Sequence, residues 1–105
     1  MSGESPEAPV RCWSCGAQRG LAALLDATGE VVCQPVCDSF TVACPDCSAE
    51  IWLDFNAGSV AVGQVIGFGA RPDVVDYQLV RLASPVEVDF RRQTIAYSGK
   101  VWPYR

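Results

Sequence analysis

Six cysteines in 105 residues offer more chemistry than any other side chains here, and their spacing sorts them into three pairs. "CWSC" at 12–15 and "CPDC" at 44–47 are Cys-x-x-Cys pairs, and "CQPVC" at 33–37 is a Cys-x-x-x-Cys pair between them. A Cys-x-x-Cys pair turns two sulfurs toward one point from a tight loop. Two such pairs supply four thiolates, the ligand set of a tetrahedral ion held about 2.3 Å from each sulfur. Cys12, Cys15, Cys44 and Cys47 are therefore the candidate metal ligands. The inner pair is surplus to a four-coordinate site and admits three readings: small buried thiols in a strand and turn, part of a six-thiolate cluster holding two ions, or a thiol pair that oxidises reversibly. We expect Cys33 and Cys37 to sit near the site without belonging to it.

Other chemistry is excluded by composition. The chain has no histidine, which removes the commonest general base and every Ser-His or Cys-His nucleophile pair. Four thiolates also leave a metal no open position for substrate, so an enzyme is not expected. Asp73 with Asp76 and Glu87 with Asp89 read as solvated turn and strand residues. The glycines at 63, 67 and 69 lack the Lys-Ser or Lys-Thr of a phosphate loop and read as bends in a β segment.

The knuckles "CWSCG" and "CPDCS", with 28 residues between Cys15 and Cys44, resemble the paired knuckles of zinc ribbons and rubredoxins. The resemblance covers roughly residues 10–55. It implies one ion per chain at Cys12, Cys15, Cys44 and Cys47. Zn²⁺ is the expected ion, because a closed, redox-inert site is the common use of four cysteines. Iron is the alternative, with the same ligands and with Trp13, Phe40, Trp52 and Phe55 as its shelter. The chain departs from the pattern at Ser48, where a glycine commonly takes the left-handed conformation, and in carrying Cys33 and Cys37.

The elements that must position these sulfurs are mostly strands. "FTVACPDCSAEIWLDF" reads as strand, knuckle, strand, with β-branched and aromatic residues on both sides of the cysteines. "LAALLDATGEVVC" offers a short helix with Leu21, Leu24 and Leu25 on one face or a hairpin turning at "ATG"; the strand-like "EVVC" favours the hairpin. Past Gly58, "VAVGQVIGF", "DVVDYQLVRLA", "VEVDF" and "TIAY" read as strands. Val86, Val88 and Phe90 point one way, Glu87 and Asp89 the other. "RRQ" turns the chain toward Ile95 and Tyr97. No internal repeat is evident. The expected fold is mostly β: a flexible tail at 1–9, a zinc-ribbon-like metal-knuckle unit at 10–57, and a small antiparallel β-sheet at 58–105 packed on it.

Half the residues are apolar and 19% charged, a balance that favours a folded globule over disorder. No apolar run approaches the roughly 20 residues of a membrane span, and "MSGESPEAPV" lacks the basic flank and apolar stretch of a secretory signal. A cytoplasmic location and no membrane partner are expected, and a reducing compartment favours thiolate sites over disulfides. Residues 1–57 carry two basic and eight acidic side chains, a balance of −6; residues 58–105 carry six and four, a balance of +2. Nucleic-acid footprints need a stronger basic stripe. A protein partner is therefore expected through the second half, around Arg91, Arg92, Tyr97, Trp102 and Tyr104. Nucleic acid is the weaker alternative.

Overall fold

The computed structural model describes residues 8–34, 39–66 and 73–105. Among them run ten strands and one helix: β1 (Val10–Arg11), β2 (Gln18–Arg19), α1 (Leu21–Thr28), β3 (Val31–Cys33), β4 (Phe40–Ala43), β5 (Glu50–Asn56), β6 (Ser59–Ile66), β7 (Asp73–Arg81), β8 (Glu87–Asp89), β9 (Thr94–Tyr97) and β10 (Lys100–Pro103). The fold is mostly β, as expected.

β3 to β7 form a five-stranded antiparallel sheet in chain order. Its inner face follows the period-two pattern. Val31, Phe40, Val42, Ile51, Leu53, Val60, Val62 and Val80 are all buried there. β8, β9 and β10 make a three-stranded antiparallel sheet in the order β10-β9-β8, and β1 and β2 make a two-stranded hairpin. Leu21, Leu24 and Leu25 of α1 join Ile95, Tyr97, Trp102 and Tyr104 in the same apolar cluster as the inner face of the large sheet. One core therefore serves both halves of the chain. The position expected as a boundary, Gly58, lies in the two-residue turn between β5 and β6, with φ 78° and Asn56 paired to Ser59.

Three local expectations are corrected. The hairpin expected at 21–33 is helix α1 followed by a short strand, β3. The 3.6-residue spacing of Leu21, Leu24 and Leu25 places all three on one buried stripe, and Gly29 ends the helix in the left-handed region at φ 77°. Phe90, expected to face inward with Val86 and Val88, sits in the turn after β8 and is 60% exposed. Tyr97, Trp102 and Tyr104, expected at a partner surface, are core residues, because β10 is docked: Tyr104 packs edge-on against Phe40 with ring centroids 5.0 Å apart, and Trp102 is 8% exposed.

Gly63 marks an irregularity. The β6–β7 register shifts between Val62 and Gln64, and a Cβ on Gly63 would lie 2.6 Å from Val74 Cγ1 and 2.9 Å from the Val75 carbonyl. The strand needs glycine here because a neighbouring backbone occupies the side-chain space. Gly67 and Gly69, expected as similar bends, lie outside the described residues. Among the described residues no helix is long and apolar enough to cross a membrane.

Candidate metal centre

The two knuckles are built alike, atom for atom along the backbone. In the first, Cys12 N–H donates to the Ala17 carbonyl at 2.9 Å and Gly16 N–H to the Cys12 carbonyl at 3.0 Å. In the second, Cys44 N–H donates to Ala49 and Ser48 N–H to Cys44, both at 2.8 Å. Ser14 and Asp46 donate their N–H groups to the Cys12 and Cys44 sulfurs, each at 3.4 Å. Gly16 and Ser48 both sit in the left-handed region, at φ 79° and 66°. Ser48 thus adopts the glycine conformation despite its side chain.

This equivalence exposes a repeat that the sequence analysis missed. "VRCWSCGA" at 10–17 and "VACPDCSA" at 42–49 share valine, both cysteines and alanine at matching positions. Val10 and Val42 are buried, as are the first cysteines, Cys12 and Cys44. The second cysteines, Cys15 and Cys47, are exposed. Four conserved letters over eight residues are easily overlooked in a chain rich in valine and alanine; the hydrogen bonds make the correspondence plain.

β1–β2 carries the first knuckle and β4–β5 the second, and together they bring the four sulfurs within 4.8 Å of one another. The Cys12–Cys47 and Cys15–Cys44 separations are 3.6 and 3.8 Å. A tetrahedral ion with about 2.3 Å bonds to sulfur requires edges of about 3.8 Å. The donor set and its spacing therefore fit a tetrahedral thiolate site. Further contacts fasten the hairpins to each other. Trp13 Nε1 donates to the Glu50 carbonyl at 2.8 Å, and Arg19 pairs with Asp46 inside the second knuckle. Neither contact was read from sequence, since it joins residues 37 and 27 positions apart.

The exposed sulfurs hold their protons unequally. The Cys47 thiol is pulled down to about 7, first by a backbone hydrogen bond from Ala49 and then by hydrogen bonds from the other three thiols. Cys15 is pushed up to about 12: a lowering backbone hydrogen bond from Ala17 is outweighed by desolvation and by the neighbouring sulfurs. Four thiols this close cannot all ionise without a cation among them.

Cys33 does not join the four. It ends β3, packs partly buried against the core, and is disulfide-bonded. The free-thiol reading is thus corrected for Cys33. Cys37 itself lies outside the described residues. No further cysteine, aspartate or glutamate among the described residues completes a larger cluster with the four.

Comparison with protein-family models, with curated proteins and with solved structures finds no match. What stands is a small, mostly β protein with four cysteines positioned to bind a metal ion.

Proposed function

We propose that this chain is a structural-zinc protein that works as a protein–protein interaction module. The observation that carries the metal reading is the meeting of four sulfurs from two equivalent knuckles at tetrahedral spacing. Cys12, Cys15, Cys44 and Cys47 would hold one Zn²⁺, which supplies cross-linking of the two hairpins and no open coordination position. With no histidine in the chain, a non-catalytic role follows.

The interaction reading draws on the distribution of exposed apolar side chains. Ile66, Tyr77, Leu79, Phe90 and Val101 are exposed in the second half, and Val32 is the only comparable residue before Gly58 among those described. Scattered exposed apolar residues are ordinary, but aromatic residues gathered in the less acidic half suit a protein contact. Arg91 and Arg92 follow Phe90 in the β8–β9 turn and are exposed.

Native mass spectrometry with elemental analysis tests the metal reading. One zinc per chain is the expected result. A folded, metal-free chain or a two-ion mass would overturn it. Visible absorbance from iron bound to thiolate would instead favour an electron carrier. Tight, salt-sensitive binding of RNA or DNA would replace the protein-interaction reading with a nucleic-acid adaptor.

A further inference from the structure

The five-stranded sheet has two edges, and they are finished differently. Along β3, Arg105 closes the edge: its N–H donates to the Val31 carbonyl at 2.9 Å, and its carbonyl accepts from Cys33 N–H at 2.6 Å. Along β7 no strand among the described residues pairs with the centre of the edge. Leu82 N–H donates to the Gly58 carbonyl at 2.9 Å, so Ser59 and Arg81 form the widely spaced kind of antiparallel pair, whose own amides point away from β6. The Ala8 N–H reaches the Arg81 carbonyl from that outer side, at 3.2 Å, in agreement with this direction. Alternation then turns the amide groups of Leu79 and Tyr77 outward as well. Among the described residues no backbone hydrogen bond reaches either of them from outside. The regular pairing ends at Gln78, with Tyr77 beside the shift at Gly63 and the left-handed Asp76 at φ 55°.

An open strand edge is a template for another strand. We propose that β7 pairs with β7 of a second copy of this chain, antiparallel about Leu79, so that two five-stranded sheets join into one. The choice of partner follows from the strand itself. In "YQLVR", Leu79 lies opposite Leu79 of the second copy, Gln78 opposite its Val80, and Tyr77 opposite its Arg81. No like charges face each other. Each Arg81 guanidinium meets an aromatic ring, an attractive arrangement. Four backbone hydrogen bonds form without using the Arg81 carbonyl that Ala8 already occupies. The two-fold axis is perpendicular to the sheet, which keeps the same face outward in both copies. Tyr77 and Leu79 project on that face, 61% and 63% exposed, with the Trp52 ring 6.4 Å from Tyr77. Pairing sets two such apolar strips end to end.

This inference rests on the reading that the second half carries the interface and narrows it to one edge and one partner. Metal content is measured separately, so failure of the pairing and failure of the zinc reading are distinguishable. The test uses the full metal-loaded chain, with sedimentation across a concentration series and hydrogen exchange at single-residue resolution. The expected result is a dimer whose Leu79 and Arg81 amides are protected and exchange at least tenfold faster on dilution to monomer. Leu79→Lys should be monomeric with unchanged circular dichroism, because it opposes two charges at the axis. Phe90→Lys, exposed elsewhere, should stay dimeric. A monomer at every concentration, or a dimer whose Leu79 and Arg81 amides exchange freely, would overturn the proposal. If Leu79→Lys fails to fold, the exchange pattern of the parent decides alone.

Discussion

Ser48 carries a side chain in a backbone region that suits glycine, and its counterpart Gly16 shows what the second knuckle lacks. For L-residues the left-handed conformation costs roughly 1–2 kcal/mol. Space does not complicate the exchange at the first knuckle, since a Cβ on Gly16 would meet nothing within 4 Å. Ser48→Gly should therefore raise the thermal midpoint, by about 4–8 °C for each kcal/mol recovered. Gly16→Ser should lower it by a similar amount, and calorimetry of the two variants reads both signs. The ligand cysteines act on a larger scale. Cys44→Ser removes one of four sulfurs and leaves a hydroxyl in a buried position. For structural zinc the binding free energy, about 10–16 kcal/mol, is largely folding free energy. We expect Cys44→Ser to lose metal to a mild chelator and to melt more than about 10 °C below the parent. Cys33→Ser should retain its metal, because Cys33 lies outside the four, and should lose only the stabilisation of its disulfide. Equal loss of metal in the two variants would contradict the assignment.

At the scale of elements, helix α1 is tied to β10 through one carboxylate. Asp26 Oδ2 accepts from Lys100 Nζ at 2.8 Å, and its Oδ1 accepts from Trp102 Nε1 at 2.9 Å. The Lys100 hydrogen bond first, and then that of Trp102, hold the Asp26 carboxyl below its ordinary range. A group whose folded value is depressed stabilises above its unfolded value, and that contribution disappears as pH falls through the folded value. Asp26→Asn should therefore be less stable than the parent at about pH 7, and the gap should narrow below about pH 4. Urea denaturation of both proteins across that range measures the gap. A constant gap would mean that the ion pair contributes nothing and that only packing changed. The helix is a good place to look, because it has no side-chain N-cap and no basic residue in its last turn. Its stability must come from the buried leucines and from contacts such as this one.

Across the whole molecule, the hairpins that carry the cysteine knuckles and the main core differ in how much holds them. β1 and β2 contribute two residues each and place Val10 and Cys12 in the core. Among the described residues, the hydrogen bonds that fasten them further, sulfurs apart, are those of Trp13 and Ala8 and the partly exposed Arg19–Asp46 pair. Exposed ion pairs are worth little. The large sheet, α1 and β9–β10 share many more buried apolar residues. Removing metal with a chelator should therefore release the amides of residues 10–19 first, while those of β4, β5 and β6 remain protected. Hydrogen exchange before and after chelation tests this order. Simultaneous loss everywhere would show that the ion holds the entire core. Loading with the proposed Zn²⁺ would also sharpen the charge asymmetry, since four thiolates around one such ion would add a net −2 to an acidic first half.

Some of this protein is local in origin and therefore readable from the chain. The four clustered cysteines are legible because a Cys-x-x-Cys loop needs only a tight turn, and β4 to β7 are legible in the runs of β-branched and aromatic residues that form them. The choice between helix and hairpin at 21–33 was not local. Ala and Leu favour helix, Val and Cys favour strand, and both occur in sequence; packing of Leu21, Leu24 and Leu25 against the core decided where one ends and the other begins. The same is true of Trp102 and Tyr104. Aromatic side chains near a chain end look equally suited to a surface or a core, and only the docking of β10 beside α1 and Phe40 buries them. The open β7 edge is a tertiary property as well, because a strand's sequence does not state which of its sides a neighbour will occupy.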